Sequence, residues 1–205
     1  PAQPSKIGLL GGTFDPIHMG HLLIAEDARE ALDLDTVVFI PAGRPWLKAD
    51  QNVTDAEHRL AMVELAVAPN PHFQVSDIEA LRPGLTYTVD TLQQLREELS
   101  SNTEMFLILG MDSLNELTRW RTPNRLFDLC TVVGVSRPGQ EDIDLRNLDC
   151  IAEGASDKVV LISGTSVGIS GTDIRDRIAH GRSIKYRVPE AVESYVLEHG
   201  LYTRQ

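Results

Sequence analysis

An apolar run, Ile7-Gly8-Leu9-Leu10, opens directly onto Gly11-Gly12-Thr13-Phe14-Asp15-Pro16-Ile17-His18-Met19-Gly20-His21, and a helical pattern starts near His21. Strand, glycine turn and helix, in that order, form the unit that binds phosphates in open α/β sheets, because backbone N–H groups and a helix N-terminus converge there. Gly11 and Gly12 let the backbone approach a ligand closely, and Thr13 and the residues after it offer N–H groups. His18 and His21 stand three residues apart, so they share a helix face or flank the helix start. Imidazoles there can donate to phosphate oxygens and gain cationic character as negative charge builds. The spacing also suits zinc, but no third Cys or His ligand stands nearby in sequence, and no metal ligand is assigned.

The rest of the chain repeats the alternation. Strands are predicted at Thr36–Ile40, Phe73–Ser76, Met105–Leu109, Val132–Val135 and Val159–Ile162. The near-continuous apolar character of TVVFI and MFLIL is that of strands buried on both faces. Helices are predicted between them: Leu22 to Leu32, a segment with Leu60, Met62, Val63, Leu65 and Ala66, then Val89–Leu99, Asp112–Arg119, Asp173–Ala179 and Pro189–His199. Thr54 with Glu57 reads as a capping box, Pro189 as a first-turn proline and Gly200 as a C-terminal stop. Pro41–Trp46 and Pro138–Ser156 read as loops. The fold class expected is α/β, a Rossmann-like doubly wound parallel sheet forming a single domain over residues 1–205.

A formal net charge of -11 argues against a nucleic-acid surface or an anionic membrane as partner. It does not exclude a small anionic ligand met by a local cluster of basic groups. No apolar run is long enough to span a membrane and no signal-peptide pattern is seen, so a cytoplasmic location is expected. The two cysteines, Cys130 and Cys150, form neither a C-x-x-C pair nor a disulfide framework, and both are expected to be reduced.

Four further segments carry possible chemistry. Ile169-Ser170-Gly171-Thr172-Asp173-Ile174-Arg175 opens a helix; Ser170 or Thr172 serves as its N-cap, and with Arg175 one turn in the segment can equally form a second anion site. Gly110-Met111-Asp112-Ser113 follows a strand, where Asp112 either holds a ribose hydroxyl or caps a helix. Lys48, in the loop after TVVFI, can reach a phosphate as a point charge or simply be solvated. Trp120 can stack on an aromatic ligand ring or pack in the core. Thr86-Tyr87-Thr88 and Ser136-Arg137-Pro138-Gly139 need no more than turn chemistry. The apolar C-terminal segment with Val192, Tyr195, Val196 and Leu197 packs internally or against a second subunit, leaving a homo-oligomer open.

Taken together, GGTFDPIHMGH, FIPAGRPWLK, TYTVDTL, GMDS, the Arg119-Trp120 pair, SRPG and ISGTDIR occur in this order along nearly the whole chain. The sequence resembles the bacterial nicotinate-mononucleotide adenylyltransferases, within the nucleotidyltransferase superfamily marked by H-x-G-H and a downstream IS-x-T-x-x-R. The resemblance implies a Rossmann-like nucleotidyltransferase domain that moves AMP from ATP to nicotinate mononucleotide, with Mg²⁺, on the route to NAD. It implies that His18, His21, Lys48 and Arg175 act on the phosphates. Gly11, Thr13, Phe14, Gly110, Asp112, Ile169, Ser170 and Thr172 then fall on the ATP side, and Thr86, Thr88, Trp120 and Arg137 on the mononucleotide side.

The chain departs from the family pattern at Gly171, where Ser is usual, at Met111, where Ala is common, and at Arg44, where Gln is common. Pantetheine-phosphate adenylyltransferases are less similar, with Thr where His18 stands. A non-catalytic nucleotide sensor would be expected to lack one of His18, His21 or Arg175, and a dehydrogenase needs a G-x-G-x-x-G turn that GGTFDP does not supply. Use of the amide mononucleotide instead of the acid, or of both, stays open.

Overall fold

The computed structural model describes residues 4–46, 52–136, 145–165 and 167–204. The strands are β1 (Lys6–Gly12), β2 (Thr36–Pro41), β3 (Arg44–Pro45), β4 (Phe73–Val75), β5 (Leu85–Thr86), β6 (Glu104–Gly110), β7 (Thr131–Ser136) and β8 (Val159–Ser163). The helices are α1 (Met19–Leu32), α2 (Ala56–Val67), α3 (Thr88–Glu98), α4 (Met111–Asn115), α5 (Leu126–Leu129), α6 (Gly171–Ala179) and α7 (Glu190–Glu198).

Six strands form one sheet in the order β4-β2-β1-β6-β7-β8, every neighbouring pair parallel. Counted along the chain within this sheet, that is order 3-2-1-4-5-6, the doubly wound Rossmann arrangement. The order reverses between β1 and β6, so the crevice outside their carboxyl ends is the place where such a sheet holds a ligand. Gly11 and Gly12 end β1, and Gly110 ends β6.

Side-chain alternation divides the core. Leu10 of β1 with Phe106 and Ile108 of β6 faces a cluster completed by Ala25, Ala28, Met62, Val63, Val192 and Val196. Ile7 and Leu9 with Met105, Leu107 and Leu109 face the other side, against Val89, Leu92, Leu114 and Leu126. Both faces are therefore covered, as the apolar runs require.

The structure corrects several expectations. α2 has Asp55 at its N-cap with no side-chain cap bond, so the Thr54–Glu57 capping box does not form. Its buried stripe is Arg59, Met62, Val63, Ala66 and Val67, whereas Leu65 is exposed. Pro189 is the N-cap of α7 rather than a first-turn residue. The helix expected over Asp112–Arg119 is split into α4 and a 3-10 turn at Leu117–Arg119. Part of the expected Pro138–Ser156 loop folds into a 3-10 turn at Arg146–Cys150, which buries Leu148; residues 137–144 lie outside the described residues. The loop after β2 contributes β3, which pairs with β5. Val192 and Val196 of α7 are buried inside the chain, with Leu197 exposed. Gly200, at a φ of 58°, takes the left-handed turn after α7 expected of a helix stop.

Candidate active site

The turn between β1 and α1 is held from within. The Phe14 ring folds back under Gly12, where an added Cβ would lie 2.9 Å from it, and packs edge-on against the His21 imidazole with centroids 5.0 Å apart. A Cβ built on Gly11 or on Gly110 would meet no atom within 4 Å. The ends of the two strands that flank the switch point thus face space that the protein leaves open to a ligand.

His18 is the N-cap of α1, and its imidazole lies on that of His21 with ring centroids 3.7 Å apart. The His18 backbone N–H donates to His21 Nδ1 at 3.2 Å. A neutral His21 therefore carries its proton on Nε2 and can donate from there. His18 is only 8% exposed, and burial lowers its pKa to about 4. It is a neutral imidazole at physiological pH, so in the free protein it offers a hydrogen bond rather than the cationic charge the sequence suggests. Gly20 makes the stacking possible: a Cβ there would stand 3.1 Å from His18 Nδ1 and 3.3 Å from Val167.

The segment that opens α6 meets the turn after β1. Arg175, in α6, donates through Nη1 to the carbonyl of Asp15 at 2.6 Å, across 160 residues of chain, and its Nη2 reaches Thr172 Oγ1 at 3.3 Å. Ser170 caps α6, its Oγ accepting from the Asp173 N–H at 3.1 Å. Gly171 lies against Asp15, where a Cβ would stand 2.9 Å from the carbonyl oxygen, so a side chain there would collide. Ile169 packs against the core beside α6. Asp15 itself is buried and accepts from the Tyr202 hydroxyl at 2.7 Å. Burial and the Asp15 carboxylate together push the Tyr202 phenol above its ordinary range, so it stays protonated and donating.

Asp112 is exposed in the first turn of α4, directly after Gly110. Among the described residues, no group of three or more His, Cys, Asp or Glu side chains is placed to hold a metal ion. Both cysteines are free; burial pushes the Cys130 thiol up to about 12, which leaves it un-ionised and poorly nucleophilic. No helix of the described residues is long and apolar enough to cross a membrane.

A profile of the cytidylyltransferase-like family matches residues 9–177. A protein of Roseiflexus sp. (strain RS-1) named probable nicotinate-nucleotide adenylyltransferase is 50% identical over 198 residues, covering 97% of this chain and 98% of the relative. One of the same name from Dehalococcoides mccartyi (strain 195) is 45% identical over 200 residues, covering 98% of each. The chain belongs to the nicotinate-nucleotide adenylyltransferase family. The Plasmodium falciparum nicotinic acid mononucleotide adenylyltransferase solved with NaAD has the same fold, with a TM-score of 0.77, 20% identity, and 96% of this chain and 97% of that chain covered.

Trp120 is half-buried after the 3-10 turn and packs on the second core cluster, its indole N–H buried without a partner among the described residues. The Thr86 hydroxyl is buried and donates to the Arg44 carbonyl at 3.4 Å, so the side chain is engaged within the protein. Thr88 is the first residue of α3. Lys48 and Arg137 lie outside the described residues.

Three features of the site go beyond the residues expected from sequence. Tyr87 stacks on Trp46 with centroids 6.2 Å apart and carries the Arg121 guanidinium 4.6 Å above its ring, next to Trp120. Asp15 is the point to which Arg175 and Tyr202 are tied. Arg59 is almost wholly buried beneath the turn. Of these only Arg59 left a legible signal, a charge at helical spacing from Met62, Val63 and Ala66.

Proposed function

We propose that the chain transfers AMP from MgATP to nicotinate mononucleotide, giving nicotinate adenine dinucleotide and pyrophosphate, by direct in-line attack. The observation that carries this reading is the contact of Arg175 with the Asp15 carbonyl, which joins the two anion-binding segments at the carboxyl end of β1. A 5′-phosphate oxygen of the mononucleotide attacks the α-phosphorus of ATP as the bond to pyrophosphate breaks. The nucleophile is a phosphate monoester, already mostly dianionic at neutral pH, so no general base is required. The protein's work is to align two anions that repel each other and to stabilise charge on the leaving group.

In this reading the His18 and His21 imidazoles donate to phosphate oxygens, and Arg175 and Lys48 supply positive charge. Gly11, Thr13, Phe14, Ser170 and Thr172 line the phosphates through backbone and hydroxyl groups. Gly110 and Asp112 face the adenosine, with Ile169 alongside. Trp120 stacks on the pyridine ring, and Thr86, Thr88 and Arg137 border its carboxylate. Mg²⁺ arrives as part of the MgATP substrate and neutralises phosphate charge; with no carboxylate cluster among the described residues, no step is assigned to a protein-held metal. The cytoplasm is the proposed location. Release of pyrophosphate from MgATP by the purified protein, dependent on added nicotinate mononucleotide, tests the reading; no release under saturating substrates overturns it.

A further inference from the structure

The guanidinium of Arg59 is 1% exposed and donates to three backbone carbonyls from separate stretches of chain. Nη1 reaches Thr13 O, Nη2 reaches Gly43 O and Nε reaches Thr54 O, each at 2.7 Å. Thr13 belongs to the turn after β1. Gly43 begins the segment that leads to Lys48. Thr54 precedes α2. We infer that Arg59 is a positioning residue for adenylyl transfer, fixing the turn after β1 and the start of the segment after β2, at Gly43, relative to each other; this rests on the assignment of that turn to the ATP phosphates.

The geometry argues for more than a packing role. Met62, Val63, Ala66 and Val67 share the buried stripe of α2 with Arg59, and apolar side chains suffice at all four. Burying a charge among them is unfavourable unless its hydrogen bonds are met. Here the guanidinium meets three carbonyls from three separate nitrogens held in one rigid plane, a spread of donors that a lysine ammonium, with its three N–H groups on one nitrogen, does not reproduce. The Gly43 backbone lies close against that of Glu79, where an added Cβ would stand 2.2 Å from the Glu79 carbonyl oxygen, so only glycine presents its carbonyl to Arg59 here.

There is also an electrostatic consequence. The Thr13 carbonyl and the Phe14 N–H are two ends of one peptide unit, as are the Gly43 carbonyl and the Arg44 N–H. A cationic donor on the carbonyl end draws electron density toward it and makes the N–H end a stronger donor. Burial lowers the Arg59 pKa from its ordinary value and the Asp15 carboxylate opposes that shift, but a guanidinium remains charged at neutral pH. Arg59 thus places a permanent positive charge behind the turn.

The test uses Arg59→Lys and Arg59→Ala in the full chain, with folding checked by circular dichroism and thermal melting. Lys keeps the charge but offers its three donors from a single nitrogen, without the rigid planar spread of the guanidinium. Folded Arg59→Lys is expected to lose about tenfold or more in turnover at saturation, with the KM for nicotinate mononucleotide within about threefold of the parent, the pattern of lost alignment. Added guanidinium at low millimolar concentration is expected to restore turnover to Arg59→Ala, and ammonium is not. Calorimetric binding of magnesium α,β-methylene-ATP is expected to weaken about tenfold in Arg59→Lys, about 1.4 kcal/mol. That measurement reads the cradle whether or not the parent turns over, so a failure of the adenylyl-transfer reading stays distinguishable. Folded Arg59→Lys with parental turnover and analogue affinity overturns the inference. So does activity that falls only in step with the unfolded fraction, or rescue by ammonium as effective as rescue by guanidinium.

Discussion

Arg175 is tied to Asp15 by a hydrogen bond of 2.6 Å to its backbone carbonyl, not chiefly by charge, since its guanidinium stands 4.0 Å from the Asp15 carboxylate. The bond fixes where α6 begins relative to the turn after β1, and it leaves no room for a side chain at Gly171.

Gly171→Ser therefore inserts a Cβ 2.9 Å from the Asp15 carbonyl oxygen. Overpacking of this kind costs about 1–3 kcal/mol. The variant is expected to melt at lower temperature and to turn over more slowly, as the Arg175 contact is displaced. Unchanged stability and turnover would show that this region adjusts without loss.

His18 links stability to pH. The unfolded chain takes up a proton near the ordinary imidazole value of 6.5, whereas the folded chain resists until about 4. The neutral, folded form is thus favoured above 6.5, and stability falls as pH drops from there toward 4, by about 3 kcal/mol in all. His18→Asn removes this dependence and keeps an N-cap side chain. Denaturant unfolding at several pH values between neutrality and pH 4 is expected to show a shallower slope for the variant; parallel curves would count against a buried neutral imidazole. In kinetics, His18→Ala is expected to lower turnover about a hundredfold or more, the scale of one preorganised donor.

The fold was legible because β1, β2 and β6 are buried on both faces, so their sequences are apolar without interruption and the glycine turn after β1 marks their direction. Short pairs such as β3 with β5 leave no period to detect. The phosphate segments were legible as helix starts rich in glycine and hydroxyl residues. Their union at Asp15 was not, because a backbone carbonyl has no sequence signature. Nor was the state of His18: the pattern shows an imidazole, but only the packed structure shows that it is buried and neutral. Arg59 could have been found, since a charge at a core position of a helix calls for buried partners.

Trp120 offers a flat indole beside Arg121, which itself lies over Tyr87. Trp120→Ala removes the stacking face for a pyridine ring but leaves the turn after β1 untouched. The KM for nicotinate mononucleotide is expected to rise about tenfold or more, with that for ATP within about twofold. Equal increases for both substrates would assign Trp120 to packing alone, a role its contact with the second core cluster already gives it.

In the proposed reading, the choice between acid and amide mononucleotide turns on the groups that border the ring substituent. The Thr86 hydroxyl is engaged with the Arg44 carbonyl, so it does not supply a free side-chain donor. Next to it among the described residues is the N-terminus of α3, which begins at Thr88. A helix N-terminus presents N–H donors and a positive dipole end, which favour a carboxylate and leave an amide NH₂ facing donors instead of acceptors. Nicotinate mononucleotide is therefore expected to exceed nicotinamide mononucleotide in kcat/KM by about two orders of magnitude or more, since a mismatched donor leaves buried polar groups unpaired. Side-by-side pyrophosphate release with the two substrates measures this directly, and equal efficiencies would mean that the helix end does not face the ring substituent.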